Sequence, residues 1–156
     1  MKIAMASDHA GYLLKEELKK ALEEAGHEII DFGTDNTESC DLSDFVYPAA
    51  LAVGKHEADR GIFVDGVGYG SALIANRIYG VTAAVCQDPF CAKLARQHTD
   101  SNVLCIGGKI IGSGIAHEIV SVWMHTDPIT DVDKYTRRVQ KVAAISEKHL
   151  KKLTDL

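Results

Sequence analysis

Short apolar runs alternate with longer amphipathic segments along this chain. Five runs of about five residues are mostly apolar, and they cover residues 2–6, 28–32, 61–65, 82–86 and 103–107. Runs that are too short for a helix and too continuous for a half-exposed strand are typical of strands buried on both faces of a parallel sheet. The pattern therefore predicts five parallel strands.

The segments between these runs predict helices. Leu14, Leu18 and Leu22 recur every fourth residue within 10–25, which places them on one face of a helix. Pro48 is expected near the first turn of the next helix, where a missing N–H is tolerated. The further helices are predicted over about 43–55, 70–78, 89–98, 113–124 and 131–152.

Strands that alternate with helices indicate an α/β fold. We predict a Rossmann-like, three-layer α/β/α sandwich with a five-stranded parallel sheet and an extra C-terminal helix. No repeat, low-complexity segment or linker interrupts residues 1–156, so a single domain is expected. Because no strand follows the last helix (131–152), we expect that helix to pack on a partner subunit.

Composition and charge exclude several classes of function. Apolar residues make up 46% of the chain and charged residues 25%, which is ordinary for a globular protein. The net charge of −5 argues against an extended nucleic-acid surface. No run of 18 apolar residues marks a membrane span, and the first residues lead directly into a strand, so we expect a cytoplasmic protein.

The four cysteines are scattered along the chain, without a pair at CxxC spacing. They are Cys40, Cys86, Cys91 and Cys105. Cys86 and Cys105 lie in apolar runs. We interpret the four as reduced, mostly buried thiols rather than as disulfides or zinc ligands.

Polar residues follow the predicted strands at the points where functional groups are expected. The carboxyl ends of parallel strands share one edge of the sheet, and ligands of open α/β sheets bind there. The first strand is followed by Asp8 and His9, the third ends in Asp65, and the fifth leads to Lys109. The sequence therefore predicts a ligand-binding site at the carboxyl edge of the sheet.

A glycine loop follows Asp65. Gly66, Gly68 and Gly70 allow a tight turn that points several N–H groups into one concavity, next to the N-terminus of a helix. The loop is either an anion cradle or simply a tight turn between strand and helix. Its G-x-G-x-G spacing is neither the dinucleotide fingerprint nor a Walker loop, which disfavours nucleotide binding.

Several polar residues have two interpretations each. Asp65 is either a hydrogen-bond acceptor that organises the loop or a general base. Asp8 is either a helix cap or a ligand for substrate, and His98 is either a solvated or capping histidine or a site residue. Lys134 and Arg138, taken alone, form the solvated face of a helix.

Several motifs in combination resemble the ribose-5-phosphate isomerase B and galactose-6-phosphate isomerase family, over about residues 2–145. The resemblance implies a Rossmann-like domain that forms dimers or tetramers with active sites between two subunits. The motifs are SDHAG (7–11), DFGT (31–34), EADRGI (57–62), GVGYGSALIANR (66–77), AAVCQDPFCAKLARQHTDSNVL (83–104), GGKIIG (107–112) and RRV (137–139).

The resemblance also implies an activity and the residues for it. The family interconverts aldose and ketose phosphates through a cis-enediolate, without metal or cofactor. Asp8 would hold sugar hydroxyls, and His98 of a partner subunit would assist ring opening. The enediolate oxygen would meet the loop formed by Gly66, Val67, Gly68, Gly70 and Ser71. The phosphate would meet His9, Lys109, Lys134 and Arg138, the last three supplied across the interface.

The sequence departs from the family pattern at the expected base. Asp65 stands where the family usually has a cysteine, and Ser71 stands where a branch without that cysteine has a glutamate. Val67 replaces a threonine, Thr99 replaces an asparagine, and DLS (41–43) lacks a tyrosine. Asp65 and the missing tyrosine are similar to the galactose-6-phosphate isomerase A subunit, which works with a cysteine-bearing B partner.

Three hypotheses follow from these departures. The first is an active isomerase of a pentose, hexose or tetrose phosphate, with Asp65 as the base. The second is a catalytically incomplete subunit that needs a cysteine-bearing paralogue. The third is a sugar-phosphate-binding module without turnover.

Overall fold

The structure is a computed structural model, and it describes residues 1–155. Within this range one parallel sheet has the strand order β2-β1-β3-β5-β4. Its strands are β1 (Lys2–Ser7), β2 (Glu28–Asp31), β3 (Arg60–Asp65), β4 (Ala83–Val85) and β5 (Val103–Gly107). The helices are α1 (Tyr12–Glu24), α2 (Leu42–Gly54), α3 (Tyr69–Ala75), α4 (Pro89–Thr99), α5 (Ser113–His125) and α6 (Asp133–His149), and a short 3-10 helix (Leu153–Asp155) follows. The predicted α/β fold is confirmed.

Side chains alternate between the two faces of the sheet, and helices cover both faces. Ile3 and Met5 of β1 belong to one core, together with Trp123 of α5 and apolar residues of α1. Ala4 belongs to the other core, together with Val46 of α2. Because both faces are buried, β1, β3 and β5 are apolar at nearly every position, which explains the continuous runs in the sequence.

The start of α2 differs from the prediction. This helix begins at Leu42, so Pro48 lies inside it rather than near its first turn. The expectation for Pro48 was wrong because the sequence pattern did not show that the segment after Asp41 is already helical.

Helix α6 covers Asp133–His149 and has no buried residue. Its apolar residues Val142 and Ile145 are 52% and 62% exposed in the single chain. A helix with an apolar stripe normally buries that stripe against another element. The packing of α6 on a partner subunit therefore stays a prediction that this exposure favours.

A buried lysine holds the segment after β2 against the end of β1. The Lys15 side chain is 1% exposed, and its Nζ lies 2.6 Å from Asp31 Oδ1. Asp31 also accepts hydrogen bonds from Lys19 Nζ at 2.7 Å and from Gly33 N at 2.9 Å. Gly33 O in turn accepts from Ser7 N at 2.7 Å. This cluster therefore supports the end of β1 one residue before Asp8.

The ion pairs also set the protonation of Asp31. Burial alone would raise the pKa of this carboxyl group, but the hydrogen bonds from Lys15 and Lys19 outweigh burial, and the pKa is lowered from its ordinary value. A carboxylate with a lowered pKa stabilises the folded state at neutral pH, and that stabilisation is lost as the pH falls through the folded-state pKa.

We expect Asp31→Asn to lower the free energy of unfolding at pH 7 by about 2–4 kcal/mol, because the buried Lys15 ammonium loses its shortest ion pair. Urea unfolding measures this. The difference between wild type and variant should shrink as the pH falls from about 4 through the lowered pKa of folded Asp31, because the unfolded chain takes up the proton first. As a control, Glu28→Gln in the exposed Lys2–Glu28 pair should change stability by less than about 0.5 kcal/mol. Equal effects of the two variants would exclude the structural role of Asp31.

Candidate active site

The carboxyl edge of the sheet brings together predicted residues from three strand ends. Gly108 N donates to Asp65 O at 2.7 Å, and Lys109 N donates to Gly66 O at 3.0 Å. A Cβ placed on Gly66 would lie 3.9 Å from Ala10 Cβ and 3.8 Å from Lys109 Cδ. The segments after β1, β3 and β5 therefore meet, as the sequence predicted.

Lys109 belongs to the same half of the site as the glycine loop of its own chain. The resemblance led us to expect this lysine from across a subunit interface, and that expectation stays a prediction. Lys109 follows β5, which pairs with β3, so the fold itself puts its side chain beside Gly66.

The Asp65 carboxylate is held by the loop that follows it. Oδ1 accepts hydrogen bonds from Val67 N at 2.8 Å and from Gly68 N, and Oδ2 accepts from Ser71 N and Ser71 Oγ, both at 2.7 Å. Asp65 is only 3% exposed. A carboxylate offers about four acceptor positions, and the loop occupies that number. These contacts favour the interpretation of Asp65 as the organiser of the loop over that of a general base.

The loop leaves a smaller set of donors for a ligand. Gly68 adopts φ +86°, a left-handed conformation that suits glycine, and α3 begins directly after it. Within residues 1–155, the N–H groups of Gly66, Tyr69 and Gly70 make no hydrogen bond. A Cβ on Gly70 would lie 2.8 Å from Leu42 Cδ2, so the start of α2 closes this side of the loop. A ligand oxygen would therefore have these three N–H groups as backbone donors.

Asp8 combines both of its interpretations. Its Oδ1 accepts hydrogen bonds from Ala10 N at 2.9 Å and Gly11 N at 3.0 Å, as a residue at the start of a helix does. No described residue donates to Oδ2 in the part of the chain up to residue 155. One oxygen thus fixes the turn into α1, and the other is available to a ligand.

His9 contacts a cysteine that the sequence analysis did not connect with the site. Cys40 N donates to His9 Nδ1 at 3.4 Å, and Cys40 Sγ lies 4.0 Å from the same nitrogen. Since Nδ1 accepts this hydrogen bond, the neutral ring carries its proton on Nε2 and can donate it to an anion. Cys40 and His9 lie far apart in the sequence, and no local pattern pairs them.

The other predicted residues lie at the opposite edge of the sheet. Helix α4 begins at Pro89, after the carboxyl end of β4, and returns to the amino end of β5 at Thr99. Its 11 residues span about 16 Å. In a single chain, α4 therefore carries His98 to the edge of the sheet opposite the glycine loop.

Three of these residues gather around one aromatic ring. The imidazole of His98 stacks on the ring of Tyr135, with centroids 4.4 Å apart and an interplanar angle of 13°. Lys134 Nζ and Arg138 Cζ lie 4.8 Å and 5.8 Å from the centroid of the same ring. The sequence analysis did not single out Tyr135, although its position between cations in DKYTRR was a visible signal.

Thr99 belongs to this second half of the site. Its hydroxyl donates to Ala95 O of its own helix at 2.6 Å. A cleft of about 230 Å³ between α4 and α6 is lined by Thr82, His98, Thr99, Arg138, Val139 and Val142. The predicted residues thus form two half-sites: an edge half-site (Asp8, His9, loop 66–71, Lys109) and a helix half-site (His98, Thr99, Lys134, Arg138).

The cysteines are free thiols in different environments. Cys86 and Cys105 are buried, Cys40 is half-buried and Cys91 is exposed. Burial raises the pKa of Cys86 to about 12 and also raises the pKa of Cys105. Among residues 1–155, no group of three or more His, Cys, Asp or Glu side chains is arranged to hold a metal ion. Over the same range, no helix combines the length and the apolar character needed to cross a membrane.

Comparisons with known proteins show which family this chain resembles. A family model described as Ribose/Galactose Isomerase matches residues 3–142. The Escherichia coli protein named ribose-5-phosphate isomerase B is 38% identical over 94% of this chain and 97% of its own length. A Pectobacterium atrosepticum protein named D-erythrulose-4-phosphate isomerase is 33% identical over 81% of this chain and 84% of its own. The solved structure of Clostridium thermocellum ribose-5-phosphate isomerase B matches with a TM-score of 0.91 and 40% identity, covering 96% of this chain and 99% of that one.

We expect Asp65→Asn to lower the free energy of unfolding by about 1–3 kcal/mol, because the amide NH2 would face N–H donors and leave buried groups unpaired. Ser71→Ala removes a single hydrogen bond and should cost about 1 kcal/mol. Urea unfolding measures both changes, and amide hydrogen exchange at Val67 and Gly68 locates them. If Asp65→Asn changed neither the free energy of unfolding nor amide hydrogen exchange, the role of Asp65 as organiser of the loop would be excluded.

Proposed function

Since the chain belongs to the ribose/galactose isomerase family and is a sugar-phosphate isomerase, we propose that it interconverts an aldose phosphate and a ketose phosphate by moving a proton between C1 and C2 through a cis-enediolate. The observation that carries this proposal is the pair of half-sites. The edge half-site holds backbone N–H groups without a hydrogen-bond partner beside Lys109. The helix half-site holds the His98 imidazole beside Lys134 and Arg138. Together they supply groups for an oxyanion, a phosphate and a proton transfer.

The complete site needs two chains. In one chain, α4 ends at the edge of the sheet opposite the glycine loop, so His98 and the loop lie at opposite edges. We propose a homodimer in which the helix half-site of one protomer faces the edge half-site of the other. Two-fold symmetry then produces two equivalent sites. The exposed apolar residues of α6, Val142 and Ile145, support a contact of this kind.

The phosphate would be bound by cations from both protomers. His9 would donate its Nε2–H, and Lys109 would approach from the same protomer. Lys134 and Arg138 would come from the partner. Charge-assisted hydrogen bonds to phosphate are about twice as strong as neutral ones, so this convergence favours an anionic substrate.

The reacting end of the sugar would lie against the glycine loop. The N–H groups of Gly66, Tyr69 and Gly70 would stabilise the developing enediolate oxygen, an electrostatic contribution that is often the largest in catalysis. The free Oδ2 of Asp8 would hold a sugar hydroxyl, and His98 of the partner protomer would assist ring opening.

The contacts of Asp65 disfavour its role as the proton-transferring base. A base needs a free lone pair within reach of the substrate, and the loop occupies the acceptor positions of Asp65. Asp65 would act as a base only after the loop releases one of its oxygens. Asp8 keeps a free carboxylate oxygen at the same edge, so it is the alternative base within this chain.

The saturated carboxylate of Asp65 also supports a second candidate function. Without a base at the tip of β3, the chain would bind sugar phosphate and contribute His98 and its cations to the site of a cysteine-bearing paralogue. This is the partner-dependent subunit that the resemblance to the galactose-6-phosphate isomerase A subunit implies.

The first test uses the purified protein alone in D2O, with aldose and ketose phosphates of four to six carbons. Proton NMR follows isomerisation and C–H exchange. We expect conversion of at least one sugar phosphate, because the chain carries both half-sites. Absence of exchange with every sugar phosphate, together with detectable binding, would contradict self-sufficient catalysis and support the partner-dependent subunit.

The base is tested by comparing Asp65→Asn with Ser71→Ala. If Asp65 organises the loop, both variants damage the same loop. Their rates of C–H exchange on the sugar phosphate in D2O should then differ by less than about tenfold. If Asp65 is the base, Asp65→Asn alone should lose about 10²- to 10⁴-fold in exchange. Asp8→Asn, measured beside them, tests the alternative carboxylate.

Subunit complementation tests the shared site. Asp8→Ala damages the edge half-site and His98→Ala damages the helix half-site, so each homodimer should be inactive. After mixing and subunit exchange, one site of each mixed dimer is intact, and activity should return to about a quarter of the wild-type value. Mixtures that stay inactive although mass spectrometry shows mixed dimers would contradict a site built from two chains.

A further inference from the structure

Tyr135 links the groups of the helix half-site. His98 lies on α4, whereas Lys134 and Arg138 lie on α6, and the Tyr135 ring contacts all three. The near-parallel stack of His98 and Tyr135 orients the plane of the imidazole. In the part of the chain up to residue 155, no hydrogen bond or ion pair reaches that ring, so the stack is the directional contact that it makes. The orientation of the proposed ring-opening group therefore depends on this tyrosine.

The backbone beneath the stack is firmly anchored. The buried Arg96, two residues before His98, donates to Ser101 O and to Thr126 O and lies 2.8 Å from Asp100 Oδ1. Ile129 N donates to Gln97 O at 3.1 Å and ties the segment before α6 to the last turn of α4. These contacts fix both backbones, but they leave the side chain of His98 free to change rotamer.

The stack lies outside the two cores. Tyr135 and His98 are both half-buried, and neither belongs to a hydrophobic cluster of the sheet. Aromatic rings and cations attract each other over the distances seen here. A ring that contacts one imidazole and two cations is therefore suited to keep these groups in a fixed arrangement.

We propose that Tyr135 is a positioning residue of the isomerase: its ring fixes the His98 imidazole and holds Lys134 and Arg138 beside it, so that ring-opening and phosphate-binding groups reach the partner's substrate as one unit. This inference rests on the proposed function. If Tyr135 positions these groups, both kcat and KM depend on its side chain, because the imidazole affects turnover and the cations affect substrate affinity.

The test compares Tyr135→Leu with Tyr135→Phe in the full-length protein, on the sugar phosphate that the wild type converts. Tyr135→Leu removes the flat ring, so kcat should fall by about tenfold or more and KM should rise, because misplaced groups cost up to about 10²-fold in rate. Tyr135→Phe keeps the ring and should stay within about twofold of wild type. Tyr47→Leu, at a tyrosine that is 46% exposed on α2, is the matched control and should have no effect.

A spectroscopic measurement separates positioning from mere folding. The ring current of Tyr135 should shift the proton NMR signal of His98 Cε1–H upfield in the wild type, with the signal assigned by its loss in His98→Gln. The shift should persist in Tyr135→Phe and disappear in Tyr135→Leu. If Tyr135→Leu does not fold, Tyr135→Gln replaces it, since glutamine also lacks the ring and favours helix.

Unchanged kcat and KM in a folded Tyr135→Leu, beside an active wild type, would overturn the inference and leave the proposed function intact. A wild-type His98 signal without an upfield shift would also overturn it. If the wild type converts no sugar phosphate, the proposed function fails, and the His98 signal still decides whether the stack exists.

Discussion

The parallel direction of all five strands is the constraint on which the arrangement of this protein depends. Parallel strands put their carboxyl ends at one edge of the sheet, and each connecting helix must return to the other edge. Asp8, the glycine loop and Lys109 follow strands and therefore meet. His98 ends helix α4 and therefore lies at the opposite edge. The proposal of a shared site follows from this separation, since a second chain is the shortest way to bring the two half-sites together.

Within the edge half-site, local hydrogen bonds decide which groups remain for a ligand. Asp65 occupies the N–H groups of Val67, Gly68 and Ser71, so the loop is preorganised by its own carboxylate. Preorganised donors stabilise a developing charge without rearrangement during the reaction. The same contacts use the acceptor positions of Asp65 that a general base would need for a substrate proton. Asp65 therefore cannot hold the loop in this conformation and accept a substrate proton with the same carboxylate oxygens.

Some parts of the site were predictable and others were not, for a physical reason. The edge half-site was predicted because each of its residues directly follows a strand, and that relation is local in sequence. Tyr135 and Cys40 were missed because their contacts join distant segments, His98 with α6 and His9 with the segment before α2. The position of Lys109 beside the glycine loop of its own chain was also missed, because the order of the strands, which puts β5 next to β3, is not visible in the spacing of motifs.

Sequence by itself determined the fold class, the strand runs, the position of the glycine loop and the family, because apolar periodicity and motif spacing are properties of neighbouring residues. Only the tertiary structure decided how Asp65, Asp8 and His98 use their polar atoms. Hydrogen bonds are directional and each lone pair accepts once, so the role of a carboxylate depends on the donors that folding brings to it. For Asp65 those donors are the N–H groups of its own loop, whereas Asp8 keeps one oxygen free.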